Sequence, residues 1–249
     1  MSGHSKWSSI KHQKGVTDAK RGQLFTKLGR EITVAARKGD PDPQSNAPLR
    51  LAVQRARDNN MPMDNIERAI KRGTGGSDAT ALVEMTLEGY GPGGSAILVQ
   101  ALTDNRNRTI TDVRTAFTRN SSSLGENGCV TWMFEPKGVI TVDSEKVDTE
   151  ELALFAIDAG ADDVKIEDAA VEIHTQPHDM EAVRKALEAK GVAVTSAELL
   201  QVPQNLIQLD EKCALQSLKL LEKLEELDDV QHVFTNADFP DEVVEKYQE

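Results

Sequence analysis

Aromatic residues are scarce in this chain, at 4% of 249 residues, so any core must be built mainly from aliphatic side chains. Cysteine is scarcer still. Cys129 and Cys213 match no disulfide or zinc spacing. That excludes a disulfide framework and reads as two reduced thiols in a cytosolic protein. No apolar run approaches the ~20 residues needed to span a bilayer. The opening MSGHSKWSSIKHQKG lacks the apolar stretch of a secretory signal. The expectation is a cytoplasmic chain with no membrane partner. The phosphate loop GxxxxGK[ST], the nucleophile turn GxSxG and the metal helix HExxH are missing too.

Charge is plentiful but unevenly placed. The net charge of −12 averages over two opposite parts. Residues 1–75 hold 15 Lys/Arg and 7 Asp/Glu, a net +8, while the remaining 174 hold 14 and 34, a net −20. Such asymmetry suggests a nucleic-acid-binding head on an acidic body. The same pattern also fits a basic head that docks on its own acidic body.

Periodicity divides the chain into elements. From Thr17 to Lys38 one long helix is predicted, with Leu24, Phe25, Leu28, Ile32, Ala35 and Ala36 on one apolar stripe. Lys20, Lys27, Arg30, Arg37 and Lys38 gather on a neighbouring arc, which Val34 interrupts and Arg21 does not join. A second helix starts near Asn46 or Ala47, with Pro48 in its first turn and Arg50 beside Arg57. A third has Pro62 in its first turn, Met63, Ile66 and Ile70 facing inward, and Gly73 as its end. Residues 73–77 read as a flexible linker. Alternation of Val83, Met85 and Leu87 with Glu84, Thr86 and Glu88 predicts a half-buried strand. Gly91–Gly94 predicts a hairpin turn, followed by an apolar strand over 95–102. Asp104–Arg108 is a polar turn before a helix that Thr109 can cap, and a strand is predicted over 128–134. Residues 139–197 alternate in the order βαββαβ, the ferredoxin-like arrangement. A final strand, helix and strand are too few to stand alone and are expected to complete the domain before the insertion.

The predicted fold is α+β with three domains. These are a basic N-terminal three-helix domain (1–78), a discontinuous α/β domain (79–135 and 200–249), and an inserted ferredoxin-like domain (136–199).

No catalytic constellation emerges. The Gly91–Gly94 turn precedes a strand and lacks the helix N-terminus that holds phosphate. His174 and His178 are separated by Pro177 and lack further ligands at metal spacing, so no metal is expected. Cys129 beside Val130 and Trp132 reads as a buried structural thiol. No cofactor is expected either. The remaining candidates are nucleic-acid contacts. His4, Lys6, Trp7, Lys11 and Lys14 combine cations with an aromatic ring, which suits phosphate contact and base stacking. Arg106 and Arg108, flanked by Asn105 and Asn107, suit phosphate and base edges, although the same residues make turns and caps.

At these residues the chain resembles the YebC/PmpR family. The resemblance rests on GHSKWSSIKHQKGVTDAKRGQLFTKLGREI at the start, NNMPMDNIERAIKRG (59–73), EGYGPGGSAILVQALTDNRNRT (88–109) and NGCVTWMFEPKGVI (127–140). It runs on to VQHVF near 231. It implies a three-domain α+β protein and a non-enzymatic regulator of transcription that binds promoter DNA. The family is also similar to mitochondrial translational activators, and some members are associated with ribosomes and with synthesis of proline-rich stretches. The expected partner is thus promoter DNA or, alternatively, ribosomal RNA on the ribosome, with the chain as a monomer. The expected contact set is His4, Lys6, Trp7, Lys11, Lys14, Lys20, Arg21, Lys27, Arg30, Arg37, Lys38, Arg50, Arg57, Lys71, Arg72, Arg106 and Arg108. An enzyme such as a nuclease, and a protein-interaction scaffold, are the competing classes.

Overall fold

The computed structural model describes residues 18–75, 82–166 and 170–248. Glu135–Val202 form one compact unit, and the chain before and after them forms the other.

The larger unit opens with three helices, α1 (Asp18–Lys38), α2 (Ala47–Asp58) and α3 (Met63–Thr74). Leu28, Ile32 and Ala36 of α1 pack with Leu49, Val53 and Ala56 of α2 and Ile66 and Ala69 of α3 into an aliphatic core. Asn46 caps α2 by accepting from the Leu49 N–H at 3.1 Å, and its amide donates back to Ala35 O at 2.9 Å. One side chain thereby sets both the start of α2 and its return along α1.

Two details of α3 differ from expectation. The helix continues through Gly73 to Thr74, with Gly75 as its cap. A Cβ at Gly73 would lie 2.5 Å from Thr33 O and 2.8 Å from the Ala36 Cβ. Gly73 is therefore a contact point that lets two helices approach, not a stop signal. Met63 is exposed, because it stands at the very start of α3 where the neighbouring helices do not reach it.

Of the expected linker 73–77, Gly73 and Thr74 are helical and 76 and 77 lie outside the described residues. After residues 76–81, also outside them, the chain forms an antiparallel sheet. Strands β1 (Val83–Tyr90), β2 (Ala96–Thr103), β3 (Ser123–Leu124) and β9 (Val230–Thr235) lie in the order β3-β1-β2-β9. The C-terminal strand thus completes the sheet beside β2. The β1–β2 hairpin turns through Pro92–Gly94, where φ of +69° at Gly93 and +78° at Gly94 requires glycine. Met85, Leu87, Ile97, Val99 and Val233 face α4 (Arg106–Arg119) and α7 (Glu211–Glu225) in the largest core. Asn105 caps α4 by accepting from the Arg108 N–H, whereas Thr109, expected as a cap, is buried inside the first turn. The strands β8 (Ile207–Gln208) and β10 (Ala237–Asp238) pair in parallel, and α8 (Asp241–Gln248) follows.

Residues 128–134 are not the expected strand. A turn and a short 3-10 helix, Thr131–Met133, occupy that stretch, and the strand begins at Phe134. The reason is Glu88. Alternation put its side chain toward solvent, yet it is 5% exposed. Its carboxylate accepts the backbone N–H groups of Gly128 at 2.7 Å and of Val130 and Thr131 at 2.8 Å each. A segment whose amides converge on one carboxylate cannot also offer them to a strand ladder. Cys129, within it, is half-buried rather than buried.

The smaller unit contains β4 (Phe134–Asp143), α5 (Thr149–Asp158), β5 (Asp163–Ile166), β6 (Ala170–Thr175), α6 (Met180–Ala189) and β7 (Val194–Pro203). The sheet order β5-β6-β4-β7 is that of the ferredoxin-like fold. The protein is α+β, with a helical N-terminal region, a sheet completed by the C-terminal segment and an inserted βαββαβ unit.

Candidate nucleic-acid interface

Three of the five cations on the α1 arc, Lys27, Arg30 and Lys38, reach the rest of the unit. Lys27 Nζ donates to Glu225 O at 2.5 Å. Three residues on, Arg30 Nη1 donates to Asp228 O at 2.6 Å and to Asp229 Oδ1 at 2.8 Å. At the helix end, Lys38 pairs with Glu84 of β1. Val34, on the same face, is buried outside the helical core. The apolar residue that interrupts the basic arc is thus buried, between Arg30 and Lys38 along the helix.

Asp229 organises this contact. Its side chain is 8% exposed. Oδ1 accepts from Arg30. Oδ2 accepts from Arg108 Nη2 at 2.7 Å, Thr109 Oγ1 at 2.7 Å and Thr103 Oγ1 at 3.1 Å. Burial alone would raise the Asp229 pKa. Hydrogen bonds from Arg108, Thr109 and Thr103, and the Arg30 charge, outweigh it and hold the carboxyl below its ordinary range. Arg30 and Arg108, predicted as separate contacts, converge here on one carboxylate. Asp104 binds the outer side of Arg108 at 2.8 Å.

A second, half-buried pair lies beside the first. Arg55 of α2 donates to Glu31 Oε1 and Oε2 at 2.9 and 3.0 Å, and its Nη1 lies 3.1 Å from His232 Nε2. His232 stacks on Phe234 of β9 with centroids 5.7 Å apart. Burial pushes the Glu31 carboxyl up, but Arg55 and His232 bring it below its ordinary value.

The other described candidates are placed differently. Arg50 turns to Gln44 O at 3.2 Å and Pro43 O at 3.4 Å. Lys20, Arg21, Arg37, Arg57, Lys71, Arg72 and Arg106 are exposed. Gly73 abuts Arg37, so α1 and α3 end together and bring Arg37, Lys71 and Arg72 to one end of the helical region. Arg37, Arg57, Lys71 and Arg72 make no ion pair among the described residues. His4, Lys6, Trp7, Lys11 and Lys14 lie outside the described residues. No group of three His, Cys, Asp or Glu able to hold a metal occurs among the described residues. His174 is buried on β6, 3.4 Å from Glu172.

Sequence reasoning missed Asp229, Thr103 and Thr109. The two threonines flank Asp104–Arg108, and a hydroxyl closing an otherwise apolar strand is a detectable signal. Asp229 has none, being one of two aspartates in a turn 120 residues from Thr109.

Residues 5–76 match the TACO1/YebC protein N-terminal domain and residues 82–237 match the TACO1/YebC second and third domain. The chain belongs to the TACO1/YebC family. It is 61% identical over 247 residues to a "Probable transcriptional regulatory protein" of Dehalococcoides mccartyi, covering 99% of this chain and 98% of that one. It is 55% identical over 250 residues to a protein of that name from Chloroflexus aggregans, covering 99% of each. The crystal structure of a conserved hypothetical protein from Aquifex aeolicus superposes with a TM-score of 0.84 at 46% identity, covering 90% of this chain and 92% of that chain. No helix among the described residues is long and apolar enough to cross a membrane.

Proposed function

We propose that this protein is a non-enzymatic, cytoplasmic regulator of transcription that binds promoter DNA through its basic N-terminal domain, residues 1–78. The observation that carries the reading is the placement of charge. Lys27, Arg30 and Lys38 are spent on the body, yet Arg37, Arg57, Lys71 and Arg72 stay exposed on a region that is strongly positive in an acidic chain. These cations neutralise phosphates and release counterions. The names of the relatives from Dehalococcoides mccartyi and Chloroflexus aggregans support a role in transcription.

Ribosomal RNA is the second reading, with the chain acting in translation. It is favoured by one observation. The cationic face of α1 lies against the body, so the longest helix is not free to present that face to a DNA major groove. Contact by exposed helix ends suits recognition of shape.

The test is the salt dependence of binding to a promoter fragment and to ribosomal RNA, with the natural chain and with Arg37, Arg57, Lys71 and Arg72 changed to Glu. Each lost phosphate contact lowers the slope of log K against log salt by about 0.7–0.9. Tighter binding to the promoter favours the first reading. An unchanged slope in the folded variant removes these four residues from the interface.

A further inference from the structure

Trp132 is 65% exposed and Tyr90 37%, yet neither ring is loose. Trp132 Nε1 donates to Cys129 O at 3.0 Å, and Tyr90 Oη donates to the same oxygen at 3.0 Å. One carbonyl therefore tethers two exposed rings by their polar atoms. That carbonyl is itself fixed. Glu88 accepts three backbone N–H groups from residues 128, 130 and 131, and its own carbonyl accepts the Gly125 N–H at 2.7 Å. Val130, next to Cys129 in the chain, is fully buried and anchors the loop.

We propose that Tyr90 and Trp132 form a stacking platform for an unpaired base of a single-stranded nucleic acid. The proposal deepens the nucleic-acid reading above and rests on it. Three features select a base. The polar atoms of both rings are satisfied internally, so what they offer outward is π-surface. Their exposed neighbours Ser123, Glu126, Asn127 and Thr131 are polar and suit a base better than a helix or an aliphatic peptide. Tyr90, Glu88, Thr86 and Glu84 alternate on one face of β1, and Glu84 receives Lys38 from the basic region at the far end of that face. Thr86 and Tyr90 on this face are exposed, while Glu88 is covered by the 128–131 loop, so a strand whose phosphates lie on the basic helices reaches the rings past that loop. Pinned rings lose little freedom on binding, and stacking on them tolerates any base.

The experiment uses the unsubstituted chain and an oligouridylate. Anisotropy of a dye-labelled oligouridylate at low salt measures binding. Photo-crosslinking with 5-iodouridine in the same oligomer, read by mass spectrometry, locates the stacked ring. A crosslink to Trp132 or Tyr90 is expected. Trp132→Ala is expected to weaken binding by about five- to hundredfold, the range of one lost stacked base. Trp132→Phe, which keeps a ring in place, should bind more tightly than the alanine variant. Crosslinks confined to other residues, or Trp132→Ala binding within about twofold of the parent, overturn the platform while leaving nucleic-acid binding intact. Absence of any anisotropy change with the unsubstituted chain overturns the platform, and the promoter and ribosomal RNA readings are then decided by the salt-dependence experiment above. An oligoproline peptide that binds in its place assigns the rings to peptide recognition instead.

Discussion

Arg30 of α1 and Asp229 ahead of β9 meet at 2.8 Å although 199 positions separate them in the chain. Around this pair a basic helix, the end of β2 and the first turn of α4 share one carboxylate. The contact makes part of the charge asymmetry an internal matter. Lys27 and Arg30 serve the fold, whereas Arg37, Lys71 and Arg72 at the ends of α1 and α3 stay exposed.

Asp229→Ala should destabilise the protein by about 3 kcal/mol or more, because it removes the shared acceptor of two guanidinium groups and two buried hydroxyls. Urea denaturation checks this. A loss below about 1 kcal/mol would mean that water or Asp104 replaces the carboxylate.

The pH dependence has a definite sign. The Asp229, Glu31 and Glu88 carboxyls are all held below their ordinary values in the folded chain. For Glu88, burial raises the pKa, but the hydrogen bonds from Gly128, Val130 and Thr131 lower it further. Such groups contribute stability that is fully present above the unfolded carboxylate range, about pH 4, and is lost as pH falls through their folded values. The urea midpoint should therefore drop as pH falls below about 4, and Glu88→Gln should show a shallower drop. Equal drops in both proteins would remove Glu88 from the account.

Glu88→Gln should also loosen the 125–133 loop at neutral pH. The charged acceptor of three N–H groups becomes a neutral one, and hydrogen bonds to charged groups contribute about 1.5–3 kcal/mol. Amide hydrogen exchange at Gly128, Val130 and Thr131 should accelerate. Unaltered protection at these amides would contradict the assignment.

Gly73→Ala tests packing against propensity. Alanine favours a helix interior over glycine by about 1 kcal/mol. The added methyl, however, would press on Thr33 O and Ala36. Net destabilisation of about 1–3 kcal/mol is expected, and a rise in melting temperature would show that α3 shifts freely.

Leu28→Ala should cost about 2–5 kcal/mol, since Leu28 is 1% exposed in the helical core. Thermal or urea unfolding measures it. A loss well under 1 kcal/mol would mean that the core refills.

Much of the secondary structure was legible because its causes are local. The stripe through Leu28, Ile32 and Ala36, the start of α2 near Asn46 or Ala47 and the βαββαβ order all depend on spacing along a few residues. Misread positions share another cause. Gly73 looks like a helix stop until Thr33 and Ala36 of another helix are beside it. Glu88 looks like a solvent-facing strand residue until the amides of a loop 40 residues away close on it. Trp132 looks like part of a strand for the same reason.

The candidate site divides along the same line. Composition and periodicity by themselves determined that the chain has a basic helical region on an acidic α+β body, because charge and hydrophobic period are properties of the one-dimensional order. They also showed that Val34 breaks the cationic arc of α1. Only the tertiary structure decided what that break is for. It brought Asp229, Glu225 O and Glu84 to Arg30, Lys27 and Lys38, and so sorted cations that serve the fold from cations left exposed. The physical reason is that an ion pair is a relation between two places in space, and no property of either residue's own stretch of sequence specifies where the other will be.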